Sequence, residues 1–131
     1  IALLDVGNTR AKYCIVNEGQ RDTPQVLLTK DLTDCFLSNN FKGISKIIVA
    51  SVSDDKITDA ISIWCKSNQV DFKQIVSEKS KNTVVNAYTI PSQLGVDRWL
   101  TLIAVADLFP NRNVYISLFN PILISINISP I

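Results

Sequence analysis

The chain has 131 residues, 47% hydrophobic and 19% charged, with a net charge of +1. These figures suit a globular domain with a real core and argue against a dedicated nucleic-acid binder, which would show a basic stripe. There is no histidine, which excludes a Ser-His-Asp triad and the usual zinc sites and leaves acid–base chemistry to Asp, Glu, Lys, Tyr or Cys.

Residues 1–6 are a short apolar run that ends in Asp5-Val6-Gly7-Asn8-Thr9, a pattern expected of a buried strand bounded by a turn. Residues 11–16 alternate as a second strand, Asn17-Glu18-Gly19-Gln20 marks a turn, and residues 25–29 make a third strand. Together they predict an antiparallel meander. A helix is expected over residues 32–41, with Thr33 or Asp34 near its start and Leu32, Phe36 and Leu37 on one face. Residues 44–52 contain Ile47-Ile48-Val49-Ala50, the composition of a fully buried strand. Ser53-Asp54-Asp55 caps a second helix that runs to about Asn68, with Ile57, Ala60, Ile61 and Trp64 as its apolar stripe. Residues 70–76 form another strand, and the alternation of strand, helix and strand calls for a parallel segment of sheet.

Residues 77–84 are polar and predicted to be loop, and residues 88–95 are irregular because they hold Pro91 and Gly95. A strong helix is predicted over residues 96–109, with Leu100, Ile103, Ala104 and Leu108 on its core face and Pro110-Asn111-Arg112-Asn113 as its stop. Residues 114–119 would be a further strand. The order predicts an α/β domain, a mixed sheet flanked by helices, with no internal repeat and no dividing linker. Cys14, Cys35 and Cys65 are widely spaced and odd in number, as in reduced, half-buried thiols. Asp5 comes too early for a signal peptide and no apolar run is long enough to span a bilayer. The expectation is a soluble cytoplasmic protein with neither nucleic acid nor membrane as a partner.

Two segments carry chemistry. In Asp5-Val6-Gly7-Asn8-Thr9-Arg10-Ala11-Lys12, a carboxylate ends a buried strand and a tight turn follows. Gly7 would let the backbone approach a phosphate, the turn N–H groups and the Thr9 hydroxyl would bond its oxygens, Lys12 would add charge, and Asp5 would hold Mg²⁺ through water. The same residues also make an ordinary hairpin turn, which is the commoner use of such a segment. The spacing is not that of a Walker loop. In the second segment, Gly95-Val96-Asp97-Arg98-Trp99 opens the apolar helix and Tyr88 precedes it. Asp97 is suited to act as a general base toward a hydroxyl and Arg98 to fork onto a carboxylate. The plainer alternative makes Asp97 a helix cap, Arg98 its ion-pair partner and Trp99 core.

Taken together, Asp5-Val6-Gly7-Asn8-Thr9 and Tyr88-Thr89-Ile90-Pro91-Ser92-Gln93-Leu94-Gly95-Val96-Asp97-Arg98-Trp99 resemble the type III pantothenate kinase family in form, order and separation. Lys12 and Val49-Ala50-Ser51-Val52 fit the same pattern. The resemblance implies an actin-like, ribonuclease-H-like ATPase fold and transfer of the γ-phosphoryl group of ATP to pantothenate, the first step toward coenzyme A. It implies ATP contacts at Asp5, Val6, Gly7, Asn8, Thr9, Arg10, Ala11 and Lys12, with Asp5 near Mg²⁺. It implies pantothenate contacts at Tyr88, Gly95, Val96, Asp97 and Arg98, with Asp97 as the base. It also implies a homodimer and a monovalent cation, K⁺ or NH₄⁺. Sugar or acetate kinases of the same fold use other substrate motifs than residues 88–99.

The resemblance stops near residue 116. The family's next motif, Asp-x-Gly-Thr, clamps phosphate and ligates the cation; here Ser117-Leu118-Phe119-Asn120-Pro121 stands in its place. The expectation is an N-terminal actin-like domain over residues 1–116 and a divergent apolar tail over residues 117–131, without the second domain. Weak or no turnover by this chain alone would follow. The alternative is a non-catalytic relative that binds pantothenate or assists transcription.

Overall fold

The computed structural model describes residues 1–117 and 123–126, with side chains through Val114. The chain divides into two compact units, Ile1–Val76 and Ser77–Ile131.

In the first unit the strands are β1 (Ala2–Val6), β2 (Arg10–Asn17), β3 (Gln20–Arg21), β4 (Gln25–Leu28), β5 (Lys46–Ser51) and β6 (Asp71–Ile75). They form one sheet in the order β3-β2-β1-β5-β6, with β4 also paired to β2. β1 pairs β2 antiparallel and β5 parallel, and β5 pairs β6 parallel. The meander is therefore present, with its outer strand split in two. Pro24 lies in the break, where an edge strand tolerates a residue that lacks an N–H. The turn between β2 and β3 places Glu18 and Gly19 at φ 49 and 78, the primed geometry that matches strand twist.

Helices α1 (Asp34–Asn40) and α2 (Asp55–Ser67) begin at Thr33 and Asp54, whose side chains accept from the N–H of Phe36 and Lys56. Each cap satisfies one of the first-turn donors. Ala2, Leu4, Val6, Ile47 and Val49 bury the sheet face that meets Leu37, Phe41, Ile61, Trp64 and Cys65. Each large apolar side chain buried here contributes about 1.5–3 kcal/mol. Tyr13, Phe36 and Phe41 pack edge to face with centroids 5.4–6.0 Å apart, and the Trp64 indole donates to Ser38 at 3.0 Å, tying α2 to the first helix. Of the stripe expected on α2, Ala60 is exposed and Thr58 is buried in its stead.

In the second unit, residues 77–84 depart from the predicted loop: β7 (Ser80–Lys81) and β8 (Val84–Val85) form a short hairpin, with Asn82 at φ 53. A 3₁₀ turn, Pro91–Gln93, leads to α3 (Val96–Leu108). The core face of α3 also differs from expectation. Val96, Trp99, Leu102 and Ala106 are buried and Ile103 is half-buried, whereas Leu100 is 37% exposed and Leu108 70%. Both stripes have helical spacing on a helix that is apolar nearly all round. The side that carries Trp99 wins because an indole buries the largest area. Beyond α3, β9 (Val114–Ser117) pairs antiparallel with β10 (Leu123–Ile126). The predicted strand over residues 114–119 ends at Ser117; the rest of it lies outside the described residues. Among those residues no helix is long and apolar enough to cross a membrane.

Candidate functional site

The first segment is a hairpin turn with unusual bracing. Val6 pairs Ala11, so Gly7, Asn8 and Thr9 make the loop, which runs into Arg10 at the start of β2. The Gly7 N–H donates to the Arg10 carbonyl at 3.0 Å. The Gly7 carbonyl accepts the Thr29 hydroxyl at 2.8 Å, and the Thr9 carbonyl accepts the Thr29 N–H at 2.9 Å. The N–H groups of Asn8 and Thr9 find no acceptor among the described residues, and both residues are exposed. Gly7 does not have a positive φ. It is needed for space, because a methyl group there would sit 2.8 Å from the Arg10 carbonyl oxygen.

This turn stands at the carboxyl end of β1. The parallel neighbour β5 ends beside it, and the Val52 N–H donates to the Val6 carbonyl at 3.0 Å. Carboxyl ends of adjacent parallel strands are where open α/β sheets bind ligands. Asp5 is exposed and lies opposite Lys12 on β2 and Ala50 on β5, so the three share a face of the sheet. Neither Asp5 nor Lys12 belongs to an ion pair among the described residues. Arg10 is exposed, whereas Val6 and Ala11 are fully buried and hold the turn on the sheet. Val6 and Ala11 therefore act through main chain and packing.

The second unit holds the other segment. Gly95 is the N-cap residue of α3 and no side chain caps the helix. Asp97 is at the second helical position, exposed, and its carboxylate makes no hydrogen bond or ion pair among the described residues. It folds back over Gly95, where a methyl group would meet Asp97 Oδ1 at 2.7 Å. Arg98 is half-buried and does not pair with Asp97. Of the plainer alternative only Trp99 survives: it is fully buried, its indole N–H without an acceptor among the described residues. Val96 is buried and Tyr88 is 41% exposed.

Two residues that organise this segment were not singled out from the sequence. Asn86 is 1% exposed. Its amide donates to the carbonyls of Glu78 and Pro91, each at 3.2 Å, and accepts the Tyr88 N–H at 3.0 Å. Lys79 Nζ donates to the carbonyls of Asn86 at 3.0 Å and Tyr88 at 3.2 Å. Together they tie residues 78–91 to one another and to the Tyr88 main chain. Thr29 is the third such residue, in the first unit. All three act through side-chain bonds to distant main chain, for which a sequence has no periodic signal.

Among the described residues no group of three or more His, Cys, Asp or Glu could hold a metal. One exposed carboxylate beside free turn N–H groups fits Mg²⁺ carried with phosphate, since that ion keeps most of its waters. The segment from which the second phosphate clamp is expected to be missing, residues 117–121, lies outside the described residues beyond Ser117.

Comparison with known proteins covers both segments. Residues 1–118 match the family model described as type III pantothenate kinase. A type III pantothenate kinase of Colwellia psychrerythraea is 36% identical over 116 residues, covering 88% of this chain and 47% of the relative. One from Acinetobacter baylyi is 34% identical over 116 residues, covering 85% and 47%. One from Nitrosococcus oceani is 30% identical over 110 residues, covering 80% and 41%. The chain thus spans about half the length of the curated relatives it matches. The mixed sheet of the first unit, with its antiparallel meander joined to parallel strands, is what the actin-like ATPase fold of that family requires. The matched span takes in both the braced turn and the Asp97 helix, and the chain belongs to the type III pantothenate kinase family.

Proposed function

We propose that the chain supplies the pantothenate-binding segment and the first ATP-phosphate turn of a cytoplasmic kinase that converts pantothenate to 4′-phosphopantothenate. The observation that carries this reading is the Asp97 carboxylate. It sits at the start of α3, uncapped and unpaired among the described residues. A carboxylate with no structural partner is available to a substrate hydroxyl.

In this reading the N–H groups of Asn8 and Thr9, the Thr9 hydroxyl and Lys12 bind phosphate oxygens of ATP. Asp5 would hold Mg²⁺, which would supply neutralisation of phosphate charge. Arg98 forks onto the pantothenate carboxylate and Tyr88 flanks the substrate. Asp97 takes the proton of the pantothenate hydroxyl as its oxygen bonds to the γ-phosphorus; the bond from that phosphorus to the bridging oxygen breaks and ADP leaves. Catalysis of this kind rests on positioning and charge stabilisation. Ser117-Leu118-Phe119-Asn120-Pro121 holds no carboxylate for a monovalent cation, so no step is routed through that ion. The working form is a homodimer, which light scattering would measure.

Calorimetry and an ADP-release assay with Mg²⁺ and K⁺ test the reading. Pantothenate should bind the chain with measurable heat, and turnover by this chain alone should be slow. Asp97→Asn should keep pantothenate affinity within about threefold and lower turnover about 100-fold or more. Absence of pantothenate binding, or an Asp97→Asn variant that turns over as fast as the parent, would sink the proposal.

A further inference from the structure

We propose that Thr29 is a positioning residue of the phosphate turn, holding its peptide planes so that N–H groups face the ligand. This rests on reading residues 5–12 as the ATP-phosphate segment.

Thr29 follows β4 as the first residue of a 3₁₀ turn, Thr29–Asp31, and is 3% exposed. It is one of only three buried polar residues among those described. Its hydroxyl holds the Gly7 carbonyl and its N–H holds the Thr9 carbonyl. The two bonds come from one residue and reach both sides of the turn, across 22 residues of sequence. No described peptide bond is cis. A trans peptide is planar and its C=O and N–H point in opposite directions. Drawing the Gly7 carbonyl inward onto buried Thr29 therefore aims the Asn8 N–H outward.

Without the hydroxyl the Gly7–Asn8 peptide is free to rotate. Rotation would present a carbonyl oxygen, the negative end of the peptide dipole, toward an incoming phosphate. An outward-facing turn N–H held in place is the kind of donor that binds anions in backbone nests. The brace thus does for this turn what the first turn of a helix does for a phosphate loop.

The test uses amide NMR and calorimetry on the full chain with three probes: MgADP, inorganic tripolyphosphate and pantothenate. In the parent, MgADP and tripolyphosphate should shift the Asn8 and Thr9 amides saturably. Thr29→Val removes the hydroxyl at nearly constant volume and should weaken both phosphate probes 10-fold or more, with pantothenate affinity unchanged. Thr29→Ser should bind all three within twofold of the parent. If Thr29→Val does not fold, Thr29→Cys, a far weaker donor, is read by the same criteria. Parent-like phosphate affinity in the valine or cysteine variant overturns the positioning role while leaving the phosphate reading intact. Equal loss of phosphate and pantothenate binding overturns it too, as general destabilisation. No amide shift in the parent removes the phosphate reading, and this proposal with it.

Discussion

Alanine at Gly7 and at Gly95 should give opposite outcomes, although both positions are too tight for a methyl group. At Gly7 the obstacle is main chain: the new carbon would lie 2.8 Å from the Arg10 carbonyl oxygen, roughly 0.5 Å inside a comfortable C···O contact. That oxygen already accepts the Gly7 N–H at 3.0 Å, so relief requires opening the hairpin. Overpacking of this kind costs about 1–3 kcal/mol, and the stiffer unfolded chain returns about 0.4–1 kcal/mol. A net loss of about 1–2 kcal/mol is expected, roughly 5 °C or more in Tm for a unit of this size. At Gly95 the obstacle is the end of a side chain, Asp97 Oδ1 at 2.7 Å, and the next atom is 3.8 Å away. The carboxylate can rotate aside. Alanine is a poorer N-cap than glycine by a few tenths to about 1 kcal/mol, and the unfolded-state gain offsets most of this. Thermal melts followed by circular dichroism should place Gly95→Ala within about 3 °C of the parent, with pantothenate turnover lowered 10-fold or more because Asp97, the proposed base, has moved. Gly7→Ala should melt lower and lose MgADP affinity. A Gly7→Ala variant as stable as the parent would refute the steric reasoning, as would a Gly95→Ala variant that melts as low as Gly7→Ala.

Asn86→Asp should destabilise by about 3 kcal/mol or more in urea unfolding, because a buried carboxylate would face the Glu78 and Pro91 carbonyls that the amide now serves; a loss below about 1 kcal/mol would show that the amide is not the hub. Burial, and secondarily the negative charge of Asp71, push the Cys65 thiol from 9.0 up to about 11. The neutral thiol is the form the fold prefers, so its contribution is whole below pH 9 and is lost as pH rises toward 11. Melts across that window should fall more steeply for the parent than for Cys65→Ala. At pH 8, iodoacetamide should alkylate exposed Cys35 well before buried Cys14 or Cys65, read by mass spectrometry.

Much of the fold was legible in the residue pattern. The alternation of Ala2, Leu4 and Val6, the run Ile47-Ile48-Val49-Ala50 and the caps at Thr33 and Asp54 are local signals. Local physics was enough to set strand, helix and turn, with bounds off by a residue or two. Gly7 and Gly95 were also visible as special. The reason Gly7 is special was not, since contact with the Arg10 oxygen depends on how the hairpin closes. The α3 face was misjudged because two apolar stripes obey the same period, and only packing against Val84 and Leu94 chooses between them.

The sequence by itself determined the meander joined to a strand–helix–strand unit, the family to which both segments belong, and which side chains could do chemistry. Tertiary structure decided what surrounds them. It left Asp97 without a structural partner among the described residues, brought Thr29 onto the Gly7 and Thr9 carbonyls of the first turn and bonded Asn86 to the Tyr88 main chain. Those contacts are a few side-chain hydrogen bonds to main chain outside any helix or strand ladder, and such bonds leave no repeating mark on composition or periodicity.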